Sequence, residues 1–142
     1  MSIEIVSIVP FDVITQEFAQ QLLEATHVVY PISKNLHTTI VITDDQTLHD
    51  INKKYRKKDS TTDVLSFRYD ETTAEILLSV SRIQAQAKEY GFSEKEEAGF
   101  LIIHGLLHNE GWDHERSEKE AQEMRELEIK ILSLCNLRCA RS

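Results

Sequence analysis

Three of the chain's six histidines fall within eleven residues, His104-Gly-Leu-Leu-His108-Asn-Glu-Gly-Trp-Asp-His114. Side chains four apart on an α-helix share a face at about 5–6 Å, so His104 and His108 can aim two imidazoles at one point. Gly111 supplies a residue able to take the left-handed conformation that ends a helix, after which the chain can bring His114 back as a third ligand. Three imidazoles at about 2.0–2.1 Å from one ion leave a tetrahedral position open, the pattern of a catalytic zinc holding water rather than of a closed structural site. Zinc is the expected metal, and the same ligands would also accept nickel or another transition ion. His27, His37 and His49 stand alone in ordinary strand or helix patterns and are expected to be surface or hydrogen-bonded residues.

The spacing H-x3-H-x5-H also occurs in metzincin peptidases, where a glutamate after the first histidine is the general base. Gly105 stands at that place here and has no group to take a proton. A peptidase mechanism would need a substitute such as Glu110, which reads more simply as a solvated residue of the last helical turn. Gly105 costs the helix about 1 kcal/mol relative to alanine, so it is expected to serve close packing or to leave room beside the metal. Asp113 has two open readings, as an acceptor orienting an imidazole or as a turn cap. Trp112 is expected to anchor the turn in the core.

These side chains need a scaffold, and the composition supports one. The 142 residues are 41% hydrophobic and 28% charged, with no repeat, low-complexity tract or Gly/Ser/Pro-rich linker, which predicts a single domain over residues 1–142. Ile3 to Val9 reads as a strand ended near Pro10, and Thr15 to Val28 as a helix with Phe18, Leu22 and Ala25 on one face. His37 to Thr43 is a β-branched strand, followed by an Asp44-Asp45 cap and a helix presenting Leu48, Ile51 and Tyr55. Val64 to Arg68 and Glu75 to Val80 complete the strands. Helices then take over: Ser81 to Tyr90, stopped by Gly91; one opened by the Ser93/Glu96 capping box and carrying the histidines; and one behind a Ser117/Glu120 box with Met124, Leu127, Ile131 and Leu134 as its stripe. The predicted fold class is α+β, about four strands in a mixed sheet with helices packed on it, including a zincin-like metal-binding helix.

Charge is unevenly spread. The net charge is −8, which argues against a protein that coats nucleic acid generally, yet Lys53-Lys54-Tyr55-Arg56-Lys57-Lys58 places five cations around one aromatic. That cluster suits a nucleic-acid backbone with Tyr55 as a stacking surface, and equally a solvated helix C-terminus. Residues 94–128 carry eleven acidic and four basic side chains, a surface that would repel RNA or face a basic protein. The start Met1-Ser2-Ile3-Glu4-Ile5 lacks signal-peptide character and no window is apolar enough to span a bilayer, so a cytoplasmic protein with no membrane association is expected. Cys135 and Cys139 are expected to be reduced thiols on a helix.

Two motifs resemble the YbeY endoribonuclease family. The pattern H-G-x-L-H-x-x-G-aromatic-D-H is met by His104, Gly105, Leu107, His108, Gly111, Trp112, Asp113 and His114, and a second by Asn52, Tyr55, Arg56 and Thr62-Asp63-Val64-Leu65-Ser66-Phe67. The likeness runs over about residues 38 to 135. Arg68 departs from the usual proline after Ser-Phe, and Ala74-Glu75-Ile76 from Gly-Asp-Ile, which alters the expected cleft wall. The resemblance implies a zinc-dependent endoribonuclease specific for single strands, with His104, His108 and His114 as ligands. It further implies a role in small-subunit ribosomal RNA maturation and ribosome quality control, with ribosomal RNA and the small ribosomal subunit and its proteins as partners. Such chemistry needs a cation on the scissile phosphate, for which Arg56 offers a bidentate fork. A supporting role for Asp63 and Ser66 near the cleft is implied by the resemblance alone. The rivals are a metallopeptidase and a ribosome-assembly binding factor with a structural metal.

Overall fold

The computed structural model describes residues 1–56 and 63–139, with Arg56 described by its backbone only. The elements run β1 (Ser2–Ser7), α1 (Gln16–Val29), β2 (His37–Thr43), α2 (Asp45–Arg56), β3 (Val64–Arg68), β4 (Thr73–Ser79), α3 (Val80–Tyr90), α4 (Glu94–Asn109) and α5 (Glu118–Leu134). The four strands form one mixed sheet in the order β1-β2-β4-β3, with β1, β2 and β4 parallel and β3 antiparallel at the edge. This is the predicted α+β class, and the strands at 37–43 and 64–68 have the predicted limits.

Strand alternation divides the sheet into two faces. Ile3, Ile40, Ile42, Ala74, Ile76 and Leu78 enter the main core with α1, α4 and α5, whose contributions include Phe18, Leu22, Leu101, Ile102 and Ile131. The opposite face is thinner: Leu65 and Leu77 pack under Leu48 of α2, with Val41, Ile51 and Phe67 half-buried around them. Helix α4 is buried on nearly every side, from Glu96 through Asn109, so it is the central post of the fold rather than a surface helix.

Local chemistry sets the helix ends. Thr15 caps α1 by accepting from the Phe18 N–H, and Asp44 accepts from Thr47 N at 2.7 Å. Ser93 and Glu96 close a reciprocal capping box at α4, while Gly91 ends α3 at φ +75°. Two expectations for α5 fail. Ser117 does accept from Glu120 N, but the Glu120 carboxylate turns away to Asp113 N and Arg116, so the second box is not reciprocal. Leu134 is exposed, because α5 ends there and its buried stripe runs through Met124, Glu128, Ile131 and Leu132 instead. Neither cysteine is in a disulfide among the described residues, with Cys135 at the end of α5 and Cys139 beyond the helix. No helix among the described residues is long and apolar enough to cross a membrane.

Candidate metal centre

The histidine helix ends in a defined motif. Gly111 at φ +105° follows the C-cap Glu110, its N–H donates to His108 O at 3.0 Å, and the Trp112 N–H reaches back to Leu107 O at 3.1 Å. These are the two bonds of a Schellman turn, and the positive φ is the reason for glycine. Trp112 then packs half-buried on the core, edge-on to Tyr30 with ring centroids 5.7 Å apart, which is the anchoring role expected of it. The turn reverses the chain and delivers His114 beside His104, ring centroid to ring centroid 4.9 Å.

His104 is held by a residue that sequence reading missed. Its Nδ1 lies 2.7 Å from Oε2 of Glu128, a buried carboxylate on α5. A carboxylate only accepts, so Nδ1 is the donor in this contact, and in the neutral imidazole Nε2 is then the nitrogen whose lone pair a metal would use. Phe100, one turn back, stacks on the same ring at 5.8 Å. The signal for Glu128 was in the sequence: it lies four residues after Met124 and three before Ile131, on the apolar stripe of α5, where an acid needs a partner.

The loop bearing His114 is braced by charge. Asp113 Oδ1 accepts from Glu115 N at 2.9 Å, so the turn-capping reading holds, and this bond is the main reason its carboxyl sits below the usual range. His108, Arg116 and His114 add to that lowering by their charge. Arg116 donates to Gly111 O at 2.7 Å and to Glu120, which also accepts from Asp113 N. Glu120 is lowered and Arg116 raised by their shared hydrogen bonds. His114 itself is half-exposed, its Nε2 4.0 Å from Glu115 Oε1. No group of three His, Cys, Asp or Glu side chains among the described residues lies in ligand position. The donor set, the contact of His104 Nδ1 with Glu128 and the adjacency of His114 fit a metal; His114 is half-exposed.

Other expectations divide. A Cβ on Gly105 would lie 2.9–3.0 Å from three side-chain atoms of Ile76, so this glycine serves close helix-to-sheet approach. Glu110 is not solvated: Ser33 donates to it through N at 2.8 Å and Oγ at 2.9 Å, and Arg68 stands 3.6 Å away. Burial at a contact 77 residues distant in sequence replaced the expected solvent. Arg68 also donates to Asn109 O at 2.8 Å, tying edge strand β3 to the last residue of α4. His37 joins Ser2 at 2.6 Å and Glu4 at 2.8 Å, and His27 accepts from Ile32 N at 3.0 Å, as expected of hydrogen-bonded histidines. Asp63 accepts from Gln86 at 3.4 Å. Arg56 closes α2, but its side chain lies outside the described residues, as do Lys57 and Lys58.

Comparison with known proteins agrees with this architecture. A solution structure of the Thermotoga maritima protein TM1509 superposes with a TM-score of 0.62 at 20% identity, covering 94% of this chain and 91% of that one, which is a likeness of fold. The Endoribonuclease YbeY of Persephonella marina is 40% identical over 126 residues, 83% of this chain and 82% of its own. That of Aquifex aeolicus is 42% identical over 105 residues, 70% of each chain. The family model described as Endoribonuclease YbeY matches residues 9–136. With the histidine helix and its turn inside that span, the chain belongs to the YbeY endoribonuclease family.

Proposed function

We propose that this chain is a metal-dependent endoribonuclease that cuts single-stranded RNA, acting in the cytoplasm in small-subunit ribosomal RNA maturation and ribosome quality control. The observation that carries the reading is the pair of adjacent rings, His104 and His114, with His104 fixed by buried Glu128 in a chain of this family. His104, His108 and His114 would hold one zinc ion, which when bound polarises a phosphoryl oxygen and supplies hydroxide near neutral pH. Glu128 keeps the Nδ1 proton of His104 in place and so presents Nε2. Arg56, assigned from its motif, grips the scissile phosphate through its guanidinium fork. Ribosomal RNA and the small subunit are the expected partners.

A peptidase reading loses its base: Gly105 is packed against Ile76, and Glu110 is engaged by Ser33 and Arg68. The test is cleavage of a single-stranded RNA by purified chain, with and without chelator, beside Arg56→Ala. The expected result is chelator-sensitive cleavage that Arg56→Ala abolishes with metal retained. Metal binding and ribosome association without any cleavage would instead make the chain an assembly factor.

A further inference from the structure

Edge strand β3 presents different chemistry on its two faces. Arg68 points to α4, while Leu65 and Phe67 alternate onto the thin face beneath α2. Tyr69 continues that line, its N–H bonded to Thr73 O at 2.9 Å. The Phe67 and Tyr69 rings are nearly parallel, 18° apart in plane with centroids 6.2 Å apart. Tyr55, in the last turn of α2, stands edge-on to Phe67 at 6.5 Å. Tyr55 is 63% exposed and Tyr69 57%, so two of the three rings give their surface to solvent rather than to the core. Lys54 Nζ lies 5.1 Å from the Tyr55 centroid, and the Tyr69 hydroxyl donates to Glu75 of β4, which fixes that ring.

We propose that Tyr55, Phe67 and Tyr69 form a strip on which unpaired bases of an RNA strand stack, with Lys54 meeting the phosphate beside Tyr55. The inference rests on the RNA-cleaving reading and gives it a substrate-holding surface separate from the histidines. Phe67 near the end of β3 and Tyr69 just beyond it, two residues apart at the margin of the face that α2 partly covers, can hold successive bases, because every base has a π-face. Bases within a duplex do not offer those faces, so the strip selects single strands. The neighbouring ammonium favours a phosphodiester over a neutral apolar partner. On the other face of β3, Arg68 donates to the carbonyl of Asn109, the residue after His108 in the chain.

The metal-loaded full chain, the double variant Tyr55→Ala with Tyr69→Ala, and the corresponding double phenylalanine variant are compared for binding a short 2′-O-methyl oligouridine by fluorescence anisotropy. Both substituted rings are mostly outside the core, and a thermal melt checks that the fold is kept. The alanine pair should bind about tenfold or more weakly, with the salt slope of log Kd unchanged. The phenylalanine pair should bind like the parent, whereas Lys54→Ala should flatten the slope. An abasic ribose-phosphate chain should bind parent and alanine pair alike. Undiminished oligouridine binding by the alanine pair, in a chain that still cuts RNA, would sink the strip and leave the nuclease reading standing. A parent chain that neither binds nor cuts single strands would sink both. Equal losses in the phenylalanine and alanine pairs would overturn stacking in favour of hydroxyl contacts. A parent dimer dissolved by the alanine pair, with oligouridine binding unchanged, would make this face an interface between copies.

Discussion

The two ends of α4 solve opposite problems. At its N-terminus, Ser93 and Glu96 exchange capping bonds, and Glu96 also accepts from Arg138 N at 3.0 Å and from its guanidinium at 2.9 Å. Arg138 in turn lies over Phe92 at 4.7 Å. Polar capacity there is spent inside the protein, and the result is a closed structural joint. At the C-terminus the backbone is just as well satisfied, by the Schellman bonds, yet the side chain of His104 uses one nitrogen internally and keeps the other available. The lesson is that a helix end can be saturated in its backbone and still open in its side chains, and only the second kind of end can take a ligand.

The contrast can be broken most strongly at Glu128. Glu128→Leu removes the acceptor on His104 Nδ1, and metal affinity should fall about 10- to 100-fold, read by competition with a chromogenic chelator. Glu128→Gln, which can still accept through its amide oxygen, should fall less.

A smaller effect is expected at Gly105, midway between the open end and the sheet. Gly105→Ala brings a methyl to 2.9–3.0 Å from Ile76. Overpacking costs about 1–3 kcal/mol, and the gain in helix propensity offsets about 1 kcal/mol, so a net loss near 1 kcal/mol is expected in urea unfolding. Ile76→Val in the same chain should relieve part of it.

A change of another kind concerns pH at the closed end. Arg138, mainly through its side-chain hydrogen bonds, holds the Glu96 carboxyl down at about 2, from an ordinary 4.5. A depressed folded-state pKa stabilises the fold fully above the unfolded value and loses that contribution as pH falls through about 4.5 toward 2. Unfolding midpoints at pH 7 and pH 3 should therefore differ more in the parent chain than in Arg138→Ala; equal differences would remove Glu96 from the account.

What was legible in the sequence was what local chemistry decides. The strands at 37–43 and 64–68, the Ser93 box, the Gly111 turn and the edge of the core at Trp112 follow from spacing, capping and β-branching. Contacts between distant residues were not legible. Glu110 reads as solvated until Ser33 and Arg68 meet it, and Glu120 reads as a capping partner until Arg116 and the Asp113 N–H claim its oxygens. Glu128 was hidden among the other acids of α5, although its place on the buried stripe marked it out. The aromatic strip was visible only at Tyr55, because Phe67 and Tyr69 join it through the alternation and edge position of β3.

The central claim is that three imidazoles at the open end of α4 share one metal ion. Elemental analysis of the purified parent chain, of His104→Ala and of His114→Ala, each dialysed against a weak chelator, tests it most directly. About one transition metal per chain is predicted for the parent, and loss from both variants with the fold retained. Parent-like metal content in either variant, or none in the parent after zinc addition, would contradict it.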